Sequence, residues 1–385
     1  MTNVLIFSTN ENFAIHILRC LSVMRIRICV MGINKFHPIR LSRYCDNYLR
    51  YDLQDLLEKN DNIVDKINNY CKQQKIDIII PAGIEGTLFI SKISDMITAS
   101  KVFPLSKFDV LESLNNKWSF GELMTRNGIP CPKNILIEDI NQLKLLNSEL
   151  KSLNIDFPVI AKQLELEASK GVVKLNSFKE LKTYLSSKNE FNKLPLLIQE
   201  YIPGIDMGFN FLAKNGEIIA WTIQKWYQEN NELEYIRDDN ILDIGRQIVS
   251  CCNYTGVANI DMRLDNRDKS VKVTECNPRF WGTVDISMLS GVNFPYIGIL
   301  MTQENIEDIN YRDTINYREI RYFKPKTLIT EILKNMSIKG MDSSNLYFLQ
   351  QIISDPLSYG CVNMMLLTSR IKGLVFKTQK WYTLR

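Results

Sequence analysis

The amino-acid sequence predicts a mixed α/β fold, and three observations support this prediction. Short apolar, β-branched runs alternate with helical patterns over residues 1–100. A second series of strand and helix patterns begins at Phe157, and from residue 257 two strand-like runs flank a polar turn, which predicts a β-hairpin. The 385 residues include 45% hydrophobic and 23% charged side chains, ordinary values for a folded protein of two or three domains.

The first part of the chain is predicted to form a parallel sheet covered by helices. Its apolar runs are those that a parallel sheet buries on both faces. The predicted strands are Val4–Phe7, Arg27–Met31 and Asp77–Pro81, and the predicted helices are Glu11–Met24, Asn62–Lys72 and Glu85–Ile97. The turn after the first strand, Ser8-Thr9-Asn10, contains no glycine, whereas a dinucleotide pyrophosphate needs glycines there. We therefore exclude NAD and FAD.

A domain boundary is predicted near Pro104, and strands dominate the middle of the chain. A helix capped by Asn115 or Asn116 is expected to stop at Gly128. The further strands are Pro158–Gln163, Val172–Leu175, Leu196–Tyr201, Val257–Leu264 and Val271–Cys276, with a β-rich run over Met207–Trp226 and helices at Ser177–Ser186 and Asn240–Cys252. Residues 301–385 mix polar helical and short apolar pieces, and no fold is assigned to them.

Composition limits the compartment and the partners. None of the nine cysteines forms a CxxC pair, which favours reduced thiols and a cytoplasmic location. The N-terminus reads as a strand and not as a signal peptide, and no apolar stretch is long enough to span a membrane. The net charge of +4 is weak, and no interleaved basic and aromatic stripe argues for nucleic acid.

The predicted hairpin places two acids opposite each other. In the register set by its turn, Asp261 faces Glu275, and Asn277 lies on the same face as Glu275. Facing acids repel, so the arrangement is explained by a hard cation, for which these three oxygen ligands suit Mg²⁺. Two alternatives remain: a solvent-facing hairpin balanced by Lys272 and Arg263, or a register shifted by one residue, which would separate the acids.

This segment resembles a known superfamily. Glu275-Cys276-Asn277-Pro278-Arg279, which follows a strand and the earlier acid Asp261, resembles the metal-binding hairpin of ATP-grasp proteins. The continuations Phe280-Trp281-Gly282 and Ser290-Gly291-Val292-Asn293-Phe294-Pro295 resemble the carboxylate–amine ligase branch. The resemblance implies an ATP-grasp fold in three parts: a Rossmann-like N-terminal domain (1–104), nucleotide-binding lobes (105–300) and a C-terminal extension that completes them (301–385).

The resemblance also implies the cofactors, ATP and Mg²⁺ or Mn²⁺, and the residues that bind them. A lysine that ends an apolar strand, as Lys162 does, needs an anionic partner such as phosphate; an isolated lysine is otherwise an ordinary surface residue. No GxxxxGK[ST] loop occurs in the chain. The expected nucleotide residues are Lys117, Lys162, the loop residues Ser169, Lys170 and Gly171, the adenine hinge Glu200, Tyr201 and Ile202, and Asp206 (or Glu200) for the ribose. The expected metal ligands are Asp261, Glu275 and Asn277.

The implied reaction joins a carboxylate to an amine through an acyl phosphate and releases ADP and phosphate. Arg279 is expected to bind the carboxylate, unless it forms a structural ion pair with Asp285, and Lys225 is expected to contact the terminal phosphate. The expected substrates are small carboxylates and amines such as amino acids or peptides, with a homodimer as a candidate assembly. His16 and His37 are expected to be packing or surface residues without a chemical role.

Two other functions stay open at this point. One keeps the fold but transfers the phosphate or carboxyl group to a non-amine acceptor, as an ATP-grasp kinase or carboxylase would. The other is an ATP-binding protein without turnover. The Asp, Glu and Asn set argues against the second, because loss of one ligand would be its expected mark.

Overall fold

The structure is a computed structural model that describes residues 1–57, 61–166, 171–187, 193–227, 232–303 and 317–323, with 347, 350, 353–358 and 360–361. The strands are β1 (Thr2–Ser8), β2 (Ile26–Gly32), β3 (Asn47–Arg50), β4 (Ile78–Ala82), β5 (Lys101–Val102), β6 (Asn134–Ile137), β7 (Val159–Gln163), β8 (Val173–Leu175), β9 (Leu196–Glu200), β10 (Gly204–Lys214), β11 (Glu217–Tyr227), β12 (Glu232–Ile236), β13 (Gly256–Asp265), β14 (Val271–Asn277) and β15 (Ile320–Phe323).

The described helices surround these strands, and none of them is long and apolar enough to cross a membrane. The helices are α1 (Glu11–Ser22), α2 (Gln54–Leu57), α3 (Asp61–Gln74), α4 (Ile84–Lys92), α5 (Phe108–Asn115), α6 (Lys117–Arg126), α7 (Leu143–Ser152), α8 (Phe178–Ser186), α9 (Asp239–Cys251), α10 (Val284–Leu289) and α11 (Phe294–Gln303), with 3₁₀ turns at Pro38–Leu41, Ser94–Met96 and Ile140–Gln142.

The first sheet is parallel, as predicted, and has the order β3-β2-β1-β4-β5. Its central strands carry the β-branched runs of the sequence and are buried on both faces. After β1 the chain turns without glycine, because Asn10 caps α1 by accepting a hydrogen bond from the Asn12 amide. The polar strand β3 and the two-residue strand β5 were not predicted, because neither has an apolar run.

The second sheet has the order β14-β13-β10-β11-β12-β15, and all its pairs are antiparallel. Asp261 pairs directly with Glu275, as predicted. The register then shifts by one residue, since Met262 pairs with Val273, which leaves Thr274 as a β-bulge. The predicted register therefore holds where Asp261 pairs with Glu275, and the register shifted by one residue holds between the bulge and the hairpin turn.

The third sheet is small, antiparallel and ordered β6-β9-β7-β8. Its strands β7, β8 and β9 lie where the sequence predicts them, and Ser177 caps α8 between β8 and β9 by accepting from the Glu180 amide. Its inner face packs on α7 and α8 through the buried side chains Ile135, Leu146, Val159, Leu181 and Ile198.

Distant parts of the chain share one core. Helix α1 of the first sheet packs against α10 and α11, which follow β14, and Phe103 contacts Phe280 with ring centroids 5.4 Å apart. The segment beyond residue 300, unassigned from sequence, contributes β15 to the second sheet, and Ser42 Oγ donates to Asp355 at 2.6 Å. The domain limits at 104 and 300 stay a prediction.

Candidate functional site

A cavity of about 560 Å³ lies between the second and third sheets. Strands from both sheets and the start of α6 supply its walls. Eight of the residues singled out from the sequence line it: Lys117, Lys162, Glu200, Tyr201, Ile202, Asp206, Asp261 and Glu275. Residues that are up to 158 positions apart in the chain, from Lys117 to Glu275, thus meet at one place.

Two buried lysines meet one carboxylate inside the cavity. Lys117 lies in the first turn of α6, where the Asn116 side chain caps the helix by accepting from the next amides. Its Nζ is 3.7 Å from Glu275 Oε2, and Lys162 Nζ, from β7, is 3.9 Å from the same oxygen. Burial lowers the pKa of Lys162, an effect that Glu275 opposes. Such a pair of cations suits an anionic ligand.

The pKa values of Asp261 and Glu275 are shifted in opposite directions. Burial, followed by the adjacent Glu275 carboxylate, raises the pKa of Asp261 well above its usual value. Burial acts on Glu275 in the same direction, but Lys162 and Lys117 outweigh it and hold the pKa of Glu275 below its usual value. Crowded, partly buried carboxylates fit a divalent cation, which removes their repulsion.

Asn277 completes this oxygen set. Its Nδ2 donates to Asp261 Oδ2 and to Asn259 Oδ1, both at 3.2 Å, so Asn277 and Asp261 lie on one face as predicted. Among the described residues no group of three His, Cys, Asp or Glu side chains could hold a metal ion. Two carboxylates and an amide are instead the partial shell that Mg²⁺ takes when phosphate and water supply the remaining ligands.

The hinge after β9 is bound by arginines. Glu200 accepts from Arg267 at 2.8 Å, and Asp206 forms an ion pair with Arg263. Arg263 also donates to the carbonyls of Ile202 at 2.8 Å and Gly204 at 2.7 Å. Either ribose candidate therefore already has a cationic partner.

Arg263 is a site residue that the sequence reasoning assigned only as a balancing charge. It lines the cavity, and its Cζ lies 6.0 Å from the centroid of the Tyr201 ring. It belongs to β13, two residues after Asp261, and so lies on the same strand face as that acid. This alternation was the available signal, since a side chain on the same face as Asp261 must also point toward the cavity.

Arg279 lies two residues after the end of β14 and is 6% exposed. It donates to Asn277 Oδ1 and to the Phe280 carbonyl, both at 3.0 Å, and its Cζ lies 4.3 Å from the centroid of the Phe13 ring in α1. Its alternative partner, Asp285, lies 2.9 Å from His16 Nδ1 and 3.5 Å from Arg19. His16 thus makes a structural contact with Asp285, and its lack of a chemical role stays a prediction.

Asn277, Arg279 and Lys225 were also predicted as site residues but do not line the cavity, and Lys225 points away from it. Gly208 pairs with both Asp261 and Gln224, so Gln224 shares the face of the acids and its neighbour Lys225 takes the other face. Lys225 Nζ lies over the Tyr227 ring, 4.9 Å from its centroid. This geometry does not support contact between Lys225 and a terminal phosphate.

The phosphate-covering loop is only partly described. Ser169 and Lys170 lie outside the described residues. Gly171 is described, has a φ of +69° and is not among the residues that line the cavity. The role of all three in phosphate binding stays a prediction.

Comparisons with known proteins agree with this fold. A family model described as a RimK-like ATP-grasp domain matches residues 114–253, and a model described as ATP-grasp in the biosynthetic pathway with Ter operon matches residues 192–323. The chain is therefore an ATP-grasp protein. The Pro278–Gly282 segment resembles the carboxylate–amine ligase branch of that superfamily.

Two curated relatives are similar at low identity. D-aspartate ligase of Enterococcus faecium is 24% identical over 247 residues, which cover 58% of each chain. The carbamoyl phosphate synthase large chain of Archaeoglobus fulgidus is 21% identical over 274 residues, or 66% of this chain and 24% of that one. The chain thus spans little more than half of the first relative and a quarter of the second.

Solved structures share the fold. L-amino acid ligase from Bacillus licheniformis has a TM-score of 0.63 and 15% identity, covering 83% of this chain and 79% of that one. Biotin carboxylase from Campylobacter jejuni has a TM-score of 0.62 and 16% identity, with 82% and 73% covered. An N5-carboxyaminoimidazole ribonucleotide synthetase in complex with ADP has a TM-score of 0.60 and 13% identity, with 77% and 74% covered.

Proposed function

We propose that this chain is an ATP-dependent ligase that joins a carboxylate to an amine through an acyl phosphate. The observation that carries the proposal is the position of Arg279, which bonds to the side chain of Asn277 beside Asp261. A fixed guanidinium next to the phosphate site is suited to hold a carboxylate as it is phosphorylated. Two of the similar proteins are named as amino acid ligases, which supports the same choice.

The residues divide into two groups in this proposal. Asp261, Glu275 and Asn277 would hold Mg²⁺ or Mn²⁺, which neutralises phosphate charge when bound. Lys117 and Lys162 would face the phosphates, and the backbone from Glu200 to Ile202 would face the adenine edge. The contacts of Lys117 and Lys162 with Glu275 place cations and anions within 4 Å of each other at the point where phosphates would enter.

The chemistry needs positioning more than proton transfer by the protein. A carboxylate oxygen forms a bond to the γ-phosphorus while the bond to ADP breaks, and the amine then displaces phosphate from the acyl carbon. Charge develops on the transferring oxygens in both steps, and Arg279, Lys117 and Lys162 are fixed donors that stabilise it. The buried position of Arg279 strengthens its electrostatic effect, because little water screens it.

A carboxylase is the second candidate. Biotin carboxylase and N5-carboxyaminoimidazole ribonucleotide synthetase share the fold at a TM-score comparable to that of the amino acid ligase. In such a reaction bicarbonate, and not an organic carboxylate, would accept the γ-phosphoryl group. The two candidates differ in whether ADP release depends on bicarbonate or on an organic carboxylate with an amine.

The test measures ADP release with pooled amino acids, with and without bicarbonate, for the wild type and for Arg279→Lys. We expect release that depends on the amino acids, and a loss of about 10²-fold in Arg279→Lys, as when one donor to a developing oxyanion is removed. Binding of ADP to the variant should be unchanged, because Lys117 and Lys162 are intact. Bicarbonate-dependent release would favour the carboxylase, and undiminished amino-acid-dependent ADP release by the variant would overturn the role of Arg279.

We also propose a compartment, a class of substrate and an assembly for this protein. All nine cysteines are free thiols, which supports a reducing compartment such as the cytoplasm. We place the substrates' carboxylate beside Arg279 and Phe13, so that the N-terminal part of the chain (1–104) contributes to their recognition. Amino acids or peptides are the expected substrates, and a homodimer stays a candidate assembly.

A further inference from the structure

The end of α9 carries the one pair of consecutive cysteines in the chain, Cys251 and Cys252. Cys251 is the last residue of the helix, and Cys252 is its C-cap. Neighbouring residues of a helix normally point to different sides. Here both thiols converge on one oxygen, the carbonyl of Ile248, to which Cys251 Sγ donates at 3.3 Å and Cys252 Sγ at 2.9 Å. The two sulfur atoms are thus brought together at the helix end.

A role in capping the helix does not by itself explain thiols at these positions. The amide of Cys252 donates to the carbonyl of Ser250, so the Ile248 carbonyl is one of the last carbonyls of the helix, which need donors from elsewhere. A thiol is a weak donor, and a serine hydroxyl would satisfy the carbonyl better. What the two sulfur atoms add is a pair of soft ligands at one place.

Exposure and acidity separate this pair from the other cysteines. The structure describes all nine cysteines, and Cys251 is the only exposed one. Burial raises the pKa of Cys20, Cys29 and Cys71 and keeps these thiols protonated. By contrast, hydrogen bonding by the Cys252 thiol lowers the pKa of Cys251 to about 7. Cys251 is therefore an accessible nucleophile at neutral pH, with a second thiol beside it.

A disulfide between these two residues is disfavoured by the backbone. Consecutive Cα atoms lie about 3.8 Å apart, whereas Cα atoms joined by a disulfide usually lie about 4.4–6.8 Å apart. A direct bond between the two sulfur atoms would therefore strain the chain. An atom that bridges the sulfur atoms enlarges the ring and relieves this strain.

Two sulfur atoms are also an incomplete set for a tetrahedral metal. Among the described residues no group of three His, Cys, Asp or Glu side chains could hold a metal ion. Structural zinc takes four such ligands. The pair suits a soft electrophile that needs two thiolates from the protein and brings its own third substituent, and trivalent organic arsenic is of this class.

We infer that Cys251 and Cys252 form a dithiol site that binds a trivalent arsenical. Cys251 attacks the arsenic atom first, and Cys252 closes the ring. With an arsenoxide, two arsenic–sulfur bonds form, the arsenic–oxygen bond breaks, and the oxygen leaves as water with the protons of the two thiols. Arsenic stays trivalent, so the step needs no oxidant or reductant. Neither cysteine lines the nucleotide cavity, and the inference does not depend on the proposed function.

The test treats the 385-residue chain with phenylarsine oxide and measures the adduct by intact-protein mass spectrometry. We expect the wild type to take up one equivalent, which survives excess 2-mercaptoethanol and is removed by 1,2-ethanedithiol. Cys251→Ser and Cys252→Ser keep the side-chain size and a donor for the Ile248 carbonyl. Each should bind the reagent at least about 10²-fold more weakly, because the second bond is no longer intramolecular.

Cys131→Ser is the matched control. Cys131 is a half-buried single thiol, and its Sγ lies 3.5 Å from Thr125 Oγ1. This variant should bind phenylarsine oxide as the wild type does, and far-UV circular dichroism should be the same for all the variants.

Three results would overturn the inference. An adduct that 2-mercaptoethanol removes from the wild type would show that the thiols react singly. An adduct retained by Cys251→Ser would place the site elsewhere. A disulfide between Cys251 and Cys252 in the purified wild type would show that the backbone does not oppose direct oxidation of the pair.

Discussion

At the scale of single residues, the two facing acids are predicted to respond differently to neutralisation. Glu275 is the shared partner of Lys117 and Lys162, so Glu275→Gln leaves two buried cations without it. We expect the free energy of unfolding to fall by about 2 kcal/mol, less than for a fully buried pair because Glu275 is 20% exposed. Asp261→Asn removes a repelling charge beside Glu275 and should leave stability unchanged or raised.

Both variants should lose metal-dependent ADP release, because each removes the charge of a proposed metal ligand. The measurements are urea denaturation without metal and ADP release with Mg²⁺. A Glu275→Gln protein that is folded and turns over ATP normally would contradict the metal assignment. Equal stability losses in the two variants would show instead that both acids act as ordinary structural charges.

The side chains that could be placed together from the sequence were those whose positions follow from the alternation of side chains along a strand. Asp261, Glu275 and Asn277 could be placed together, because a short hairpin turn fixes which residues face each other. The orientation of Lys225 could not be predicted, because the register of β11 was not fixed from the sequence. Which face of the sheet Lys225 takes is decided by the pairing of β11 with β10. The contact of His16 with Asp285 joins residues 269 positions apart and left no local pattern.

At the scale of elements, Arg263 joins β13 to the hinge after β9. It binds the carbonyls of Ile202 and Gly204 and the carboxylate of Asp206, so it fixes the backbone on which adenine recognition would depend. We predict that Arg263→Leu weakens ADP binding in the absence of metal by about tenfold, since the hinge loses charge-assisted bonds that preorganise it. Isothermal titration calorimetry with ADP measures this directly.

Arg246→Leu is the matched control for this change. Arg246 pairs with Asp243 on the exposed side of α9, where ion pairs contribute little. Its ADP affinity should equal that of the wild type. An Arg263→Leu protein with unaltered affinity would show that the hinge holds its shape without this arginine.

The extent to which elements were predictable has a physical explanation. Long apolar strands and capped helices such as β13 and α6 were located to within one or two residues, because burial and capping leave local patterns. The bulge at Thr274 was not predicted, because the sequence analysis considered only a shift of the whole hairpin register by one residue. Its side chain donates to the Asp261 carbonyl at 3.0 Å, a contact specific to the folded hairpin.

At the scale of the whole molecule, the loop that carries Arg279 is held from a distant part of the chain. Helix α10, which follows that loop, presents Asp285 to His16 and Arg19 on α1. Trp281 packs on Phe294 with ring centroids 4.9 Å apart in the same core. None of these contacts was predictable from local sequence patterns. The same holds for β15 and for the contact of Asp355 with Ser42, because β15 and Asp355 lie beyond residue 300, where the sequence analysis assigns no fold.

The contact of Asp285 with α1 is predicted to stabilise the fold in a pH-dependent way. Asp285 is almost fully buried, and Asp285→Asn would leave Arg19 buried beside a neutral group. Breaking a buried ion pair in this way destabilises by about 3 kcal/mol. We therefore expect Asp285→Asn to unfold at lower urea concentration at neutral pH, while Asp243→Asn, at an exposed pair, should match the wild type.

The pH dependence follows from the pKa of Asp285. Burial acts to raise this pKa, but His16 and Arg19 outweigh burial and hold it below its usual value. A lowered pKa contributes stability above the value of the unfolded chain, about 3.9, and that contribution is lost as pH falls through the folded value. The difference between wild type and Asp285→Asn should thus be largest at neutral pH and shrink below about pH 4. A difference that is constant across this range would show that the charge of Asp285 does not stabilise the junction, and that its packing does.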